Sequence, residues 1–249
     1  MSGHSKWASI KHQKGVTDAR RGQLFTKLTR EIIIAAKEGG GNPEMNFRLR
    51  LAVQKARDAN MPTDNIERSV KKGTGEIEGG ALIELTLEGY GPSGIAILVN
   101  ALSDNRNRAI QEVRSTFTKA GCSLGEAGCV AWMFDSKGVI SIKPGDKDPD
   151  ELALAAIDAG AEDVSTEGDY VEVYTLPEDL MKVREALEKQ DIELESAEMV
   201  MIPKTMIELD EKSGVQALRL MEKLEEIDDV QNVYTNADIS DAAAEAYAA

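Results

Sequence analysis

From residue 18 to residue 38 the apolar side chains recur at helical spacing. At about 100° per residue, Leu24, Phe25, Leu28, Ile32, Ala35 and Ala36 share one face, and Arg20, Lys27, Arg30 and Lys37 take the opposite one. The spacing predicts an amphipathic helix, Asp18 to Glu38, with Thr17 as its N-cap, Gly39 as its stop and a positive outer face. Asn42-Pro43 reads as a cap followed by proline at the first helical position, opening a second helix to Ala59. Met45, Leu49, Ala52, Val53 and Ala56 would form its buried face. A third, short helix over Asp64 to Lys72 ends at Gly73. Three helices joined by Gly/Pro turns predict a small bundle.

Past the glycine-rich stretch 73–80 the period shortens to that of strands. Leu82–Glu88 and Ile95–Leu102 read as a pair of strands, and a helix over Arg106–Ala120 follows, capped at Asp104-Asn105. Cys129–Asp135 alternates Val130, Trp132 and Phe134 against Ala131 and Met133, the pattern of a further strand, with Trp132 and Phe134 read as core in preference to a stacking platform. Val139–Ile142, Pro149–Ala159, Glu162–Ser165, Tyr170–Thr175, Glu178–Lys189 and Ala197–Ile202 then give strand, helix, strand, strand, helix, strand. That is the βαββαβ order of a ferredoxin-like unit. A short strand near Met206, a helix over Lys212–Ile227 and a strand over Val230–Thr235 lack a sheet of their own and are expected to rejoin the first α/β unit.

The fold class expected is therefore α+β: an N-terminal three-helix bundle and two ferredoxin-like α/β domains, one inserted into the other. The expected boundaries are 1–78 for arm and bundle, 79–136 with 204–240 for the discontinuous domain, and 137–203 for the insertion. Residues 241–249 would be an acidic, frayed tail.

Charge alters this picture. Met1–Lys72 holds fifteen Lys and Arg against seven Asp and Glu, a net +8, so Gly73–Ala249 carries −23 of a chain that totals −15. A positive segment on an acidic body points to a polyanion partner. Residues 1–16 lack a hydrophobic period and read as a flexible arm carrying His4, Lys6, Trp7, Lys11, His12 and Lys14. Lysines and arginines neutralise phosphates, and a tryptophan stacks on an unpaired base. Asn105, Arg106 and Arg108 are a secondary anion-site candidate at a helix N-terminus, set against a plain cap with solvated arginines.

Other chemistry finds little support. Gly89, Gly91 and Gly94 have dinucleotide-loop spacing, but a strand follows where a phosphate-binding helix is needed. Both histidines lie in the arm, away from any rigid orienting partner. Cys122 and Cys129 lack metal-ligand spacing and read as buried apolar side chains in a reduced, cytoplasmic protein. No apolar run reaches membrane-spanning length. We expect no enzyme, cofactor, metal, membrane or small-molecule substrate, and a monomer.

These residues resemble the YebC family. Gly3-His4-Ser5-Lys6-Trp7 with Ile10-Lys11-His12, Asp18-Ala19-Arg20-Arg21-Gly22, Asn60-Met61-Pro62 and Lys71-Lys72-Gly73-Thr74-Gly75 are similar to its motifs. So are Glu88-Gly89-Tyr90-Gly91-Pro92, Asp104-Asn105-Arg106-Asn107-Arg108 and Trp132-Met133-Phe134. Phe47 departs from the pattern, where Asn-Pro-Arg is expected in place of Asn46-Phe47-Arg48. The resemblance implies three domains and a non-catalytic regulator of gene expression. The family carries a DNA-binding transcriptional label, while its mitochondrial branch and related bacterial members point to translation. In the translational reading the N-terminal domain sits against ribosomal RNA near the peptidyl-transferase region and eases elongation through proline-rich stretches. The positions carried over are His4, Lys6, Trp7, Lys11, His12, Lys14, Arg20, Arg21, Lys27 and Arg30. A flexible arm suits folded RNA better than a smooth duplex, and no helix-turn-helix spacing is found. RNA is the favoured partner, with DNA the alternative; a protein-interaction module is a third class.

Overall fold

The computed structural model describes residues 18–78, 81–166 and 170–248, with side chains for 21–78, 81–166 and 170–247. Three helices come first: α1 (Asp18–Gly39), α2 (Phe47–Asp58) and α3 (Thr63–Gly73). Their shared core is Leu28, Ile32, Ala35, Ala36, Leu49, Ala52, Val53 and Ala56, all on faces the periodicity selects, with Met61 and Ile66 added.

The start of α2 differs from expectation. Asn42-Pro43 opens a turn, and the cap is Asn46, whose side-chain oxygen accepts from Leu49 N at 3.0 Å. The Asn46 amide also donates to the carbonyls of Ala35 and Gly40 at 2.7 and 2.8 Å, tying α2 to the end of α1. Met45, expected in the core, precedes the helix and is 87% exposed. Leu24, assigned to the buried face of α1, is also exposed. Phe47 opens α2 and packs on the core of the inserted unit, together with Leu51.

Gly73, read as a helix stop, is also where α3 touches α1. A Cβ there would lie 2.5 Å from Ile33 O and 2.6 Å from Ala36 Cβ. Glycine to alanine in a helix otherwise gains up to about 1 kcal/mol. Here the obstacle is backbone, so we expect Gly73→Ala to cost about 1–3 kcal/mol in urea unfolding. A stabilised variant would mean that the helices slide apart freely.

The chain then forms β1 (Ile83–Tyr90), β2 (Ala96–Ser103), α4 (Arg106–Lys119) and β3 (Ser123–Leu124). It leaves that sheet for β4 (Phe134–Ile142), α5 (Pro149–Ala159), β5 (Asp163–Ser165), β6 (Val171–Thr175), α6 (Leu180–Glu188) and β7 (Ser196–Pro203). It returns through β8 (Ile207–Glu208), α7 (Glu211–Glu225), β9 (Val230–Thr235), β10 (Ala237–Asp238) and α8 (Asp241–Ala248).

The two four-stranded sheets run β3-β1-β2-β9 and β5-β6-β4-β7, every neighbouring pair antiparallel. The second is the strand order of a ferredoxin-like βαββαβ unit. The fold is thus α+β. β2 is apolar on both faces because both are covered. Ile97, Val99 and Ala101 meet α4 and α7, while Ala96 and Leu98 join Tyr234, Val130, Phe134, Val139 and Val200 between the two sheets.

Three further expectations are corrected. Residues 129–135 are no separate strand: Ala131–Met133 forms a 3-10 turn, and one strand runs from Phe134 to Ile142. Val130 and Phe134 are buried, but the turn breaks the alternation and leaves Trp132 65% exposed. Cys122 and Cys129 are half-buried. The alanine-rich tail is a helix whose Ala243 is fully buried, packed where Gly214 of α7 lets the chains approach.

Candidate nucleic-acid interface

His4, Lys6, Trp7, Lys11, His12 and Lys14, the flexible-arm reading and the Thr17 cap lie outside the described residues. For Arg20 only the helical backbone is described. The remaining candidates sit on α1 and at the start of α4.

α1 is apolar on two sides. One side enters the bundle core; on another, Ile33 and Ile34 pack on Leu82, just before β1, and Leu102 of β2. The basic side of the helix is therefore not all solvent face. Lys27 Nζ donates to Glu225 O at 2.7 Å and Gln23 Nε2 to Glu226 O at 2.7 Å, both at the C-terminal end of α7. Arg30 donates to Asp228 O and pairs with Asp229 Oδ1 at 3.1 Å. Cations and amide donors here meet the exposed carbonyls of a helix end, where both hydrogen bonding and the helix dipole favour them.

Asp229 is the centre of this contact. Its side chain is 3% exposed, and it takes Arg30 from α1, Arg108 from α4 at 2.8 Å and the Ser103 hydroxyl at 2.8 Å. Asp104 adds a second carboxylate to Arg108 at 2.7 Å. The hydrogen bond and charge of Arg108 hold the Asp104 carboxyl below its usual range. Of the secondary anion-site candidates, Asn105 is the α4 cap, accepting from Arg108 N at 3.1 Å. Arg108 is committed to two carboxylates, and Arg106 is exposed at the helix start.

Further ion pairs fasten the bundle elsewhere. Arg48 bridges Glu31, Glu38 and Glu84, the last on β1. Lys55 pairs with Glu198 of β7 at 2.5 Å, and that carboxylate raises the lysine above its ordinary range. Arg184 of α6 reaches Asp58 at 3.7 Å. Much of the positive charge on the helices is thus matched to the acidic body of the same chain. Arg21 differs: it is exposed at the opposite end of α1 from Lys37, its guanidinium 5.6 Å from the Phe25 ring centre.

Sequence reasoning missed Asp229 and Gln23. Asp229 directly precedes the core strand β9, and an acidic side chain beside an apolar strand is the one local signal it gives. Among the described residues, no helix is long and apolar enough to cross a membrane, and no group of three or more His, Cys, Asp and Glu could hold a metal ion.

Fold and contacts define a class: a basic three-helix unit fastened by polar contacts to an acidic body of two stacked antiparallel sheets. The chain belongs to the TACO1/YebC family. Residues 5–76 match the model of the family's N-terminal domain, and residues 82–237 match that of its second and third domains. It is 59% identical over 247 residues to a probable transcriptional regulatory protein of Dehalococcoides mccartyi, covering 99% of this chain and 98% of the relative. A protein of the same description from Geobacter sulfurreducens is 57% identical over 240 residues, covering 96% and 97%. A crystal structure of a conserved hypothetical protein from Aquifex aeolicus matches with a TM-score of 0.83 at 47% identity, covering 90% of this chain and 93% of that one.

Proposed function

We propose that this protein is a non-enzymatic, nucleic-acid-binding regulator of gene expression, working as a cytoplasmic monomer. Its arm and the first turn of α1 meet folded ribosomal RNA and ease elongation through proline-rich stretches. One observation carries the reading. Along α1, Lys27 and Arg30 are bonded to the protein's own body, whereas exposed Arg21 lies next to Arg20 in the turn that continues the arm. The basic residues we assign to the partner are Lys6, Lys11, Lys14, Arg20 and Arg21. Against phosphates this set gives a salt-dependent, sequence-independent grip, and Trp7 adds a ring for an unpaired base. The DNA alternative is favoured by the description of the Dehalococcoides and Geobacter relatives as probable transcriptional regulatory proteins.

Co-sedimentation with ribosomes and titration of duplex DNA, each over a salt series, separate the two. The variant for this test is Lys11→Glu with Arg20→Glu and Arg21→Glu. Lys27 and Arg30 are left intact, since changing them would loosen the bundle from the body. We expect ribosome association near physiological salt that falls about tenfold or more in the triple variant. Unchanged sedimentation, or one duplex sequence held far more tightly than random duplex, would overturn the translational reading.

A further inference from the structure

We propose that Tyr90 and Trp132 form a docking site for an arginine or lysine side chain on a basic segment of a partner protein.

The site begins with a buried carboxylate. Glu88, 5% exposed, accepts from Gly128 N at 2.6 Å and from Val130 N and Ala131 N at 2.7 Å each. Gly125 N bonds to the Glu88 carbonyl at 2.7 Å. The segment from Gly125 to Met133 is thereby pinned to β1, and it holds an indole in solvent. On its far side Lys204 Nζ donates to Trp132 O at 3.0 Å.

The two rings share one anchor. Trp132 Nε1 and the Tyr90 hydroxyl each donate to Cys129 O at 3.2 Å. Their polar edges are thus occupied, and ring faces are what the pair offers: Trp132 is 65% exposed and Tyr90 39%. A rigid exposed tryptophan with its donor satisfied suits a cation or another flat group stacked on it.

Charge selects between these guests. The Cys129 thiol, beside the shared carbonyl, is raised first by burial and then by the fields of Glu88 and Glu126. Lys204 is answered locally by Asp135 at 3.3 Å. Glu126, whose carbonyl accepts from Cys129 N at 3.2 Å, and Asp135 put carboxylates on this segment of a body that totals −23, which opposes the phosphates of a nucleic acid and favours a cationic side chain. The proposal uses no residue of the arm, so the two readings stand or fall independently.

The full-length protein with Trp7→Phe keeps Trp132 as its one tryptophan. Its emission is followed on adding an arginine-rich peptide, the same peptide with glutamine for arginine, and single-stranded oligouridylate. We expect a saturable change with the arginine peptide alone, weakening with salt. Glu126→Gln and Tyr90→Ala should each weaken the apparent affinity by about threefold, with unchanged circular dichroism. An equal response to the glutamine peptide, a response to the oligonucleotide in place of the peptide, or no response would each overturn the proposal.

Discussion

Asp229→Ala is expected to lower stability by about 2–3 kcal/mol and to loosen α1 from the rest of the molecule. The carboxylate is nearly inaccessible, and its removal leaves Arg30 and Arg108 facing each other across a site from which water is largely excluded. Breaking a buried ion pair by deleting one partner costs about 3–5 kcal/mol. The lower figure applies here because the arginine side chains are 20% and 42% exposed and recover some hydration. Urea unfolding measures the loss. Amide exchange should place it, with protection falling in α1 and at the end of α7 before the second sheet is affected. Arg30→Ala with Asp229→Ala should cost less than the two single changes added together, since the pair is removed as a unit. Additive losses would show that Asp229 holds its neighbours by packing alone.

The same carboxylate shows where sequence reading reaches its limit. Periodicity reports what a residue sees within its own element, so most of the bundle core and the βαββαβ order were legible. Lys27 and Arg30 lie opposite the bundle face of α1 and were read as solvent-facing, which holds only for a helix with one neighbour. α1 has two, and the partners of Lys27 and Arg30 lie about 200 residues further along the chain. Ile33 and Ile34, apolar but off the main stripe, were the available hint. The partition of charge into +8 and −23 was real, but part of its meaning is internal: Arg48, Lys55, Lys27 and Arg30 bind the body of their own chain.

Local signals misled in two places for definable reasons. Asn42-Pro43 carries the chemistry of a helix start, and Asn42 does accept from Glu44 N at 3.0 Å, but it caps a turn. The helix waits for Asn46, whose amide can reach two carbonyls of α1 as well. Val130, Trp132 and Phe134 have strand spacing, yet Glu88 gathers the amides of Gly128, Val130 and Ala131 and forces a turn there. That carboxylate is 42 residues from Val130, beyond the reach of any local pattern.

Glu88→Gln should accordingly do two separable things. Burial opposes the charge of Glu88, but three amide N–H donors outweigh it, so its carboxyl sits below the usual glutamate range. A carboxyl depressed in the folded state contributes stability above its unfolded value of about 4.3, and loses it as pH falls through the folded value. The wild-type protein should therefore lose stability below about pH 4.3 through this group, and Glu88→Gln should lose less over that interval. At neutral pH the variant should be weaker by about 2–3 kcal/mol, because an amide offers one acceptor oxygen where three donors converge. The second effect is local. With the Gly125–Met133 segment released, emission from Trp132 in the Trp7→Phe background should shift toward that of a mobile, hydrated indole, while ribosome association of Glu88→Gln with Trp7 intact stays unchanged. If the pH slope and the Trp132 spectrum both match those of the protein with Glu88 intact, the carboxylate is not what holds the turn.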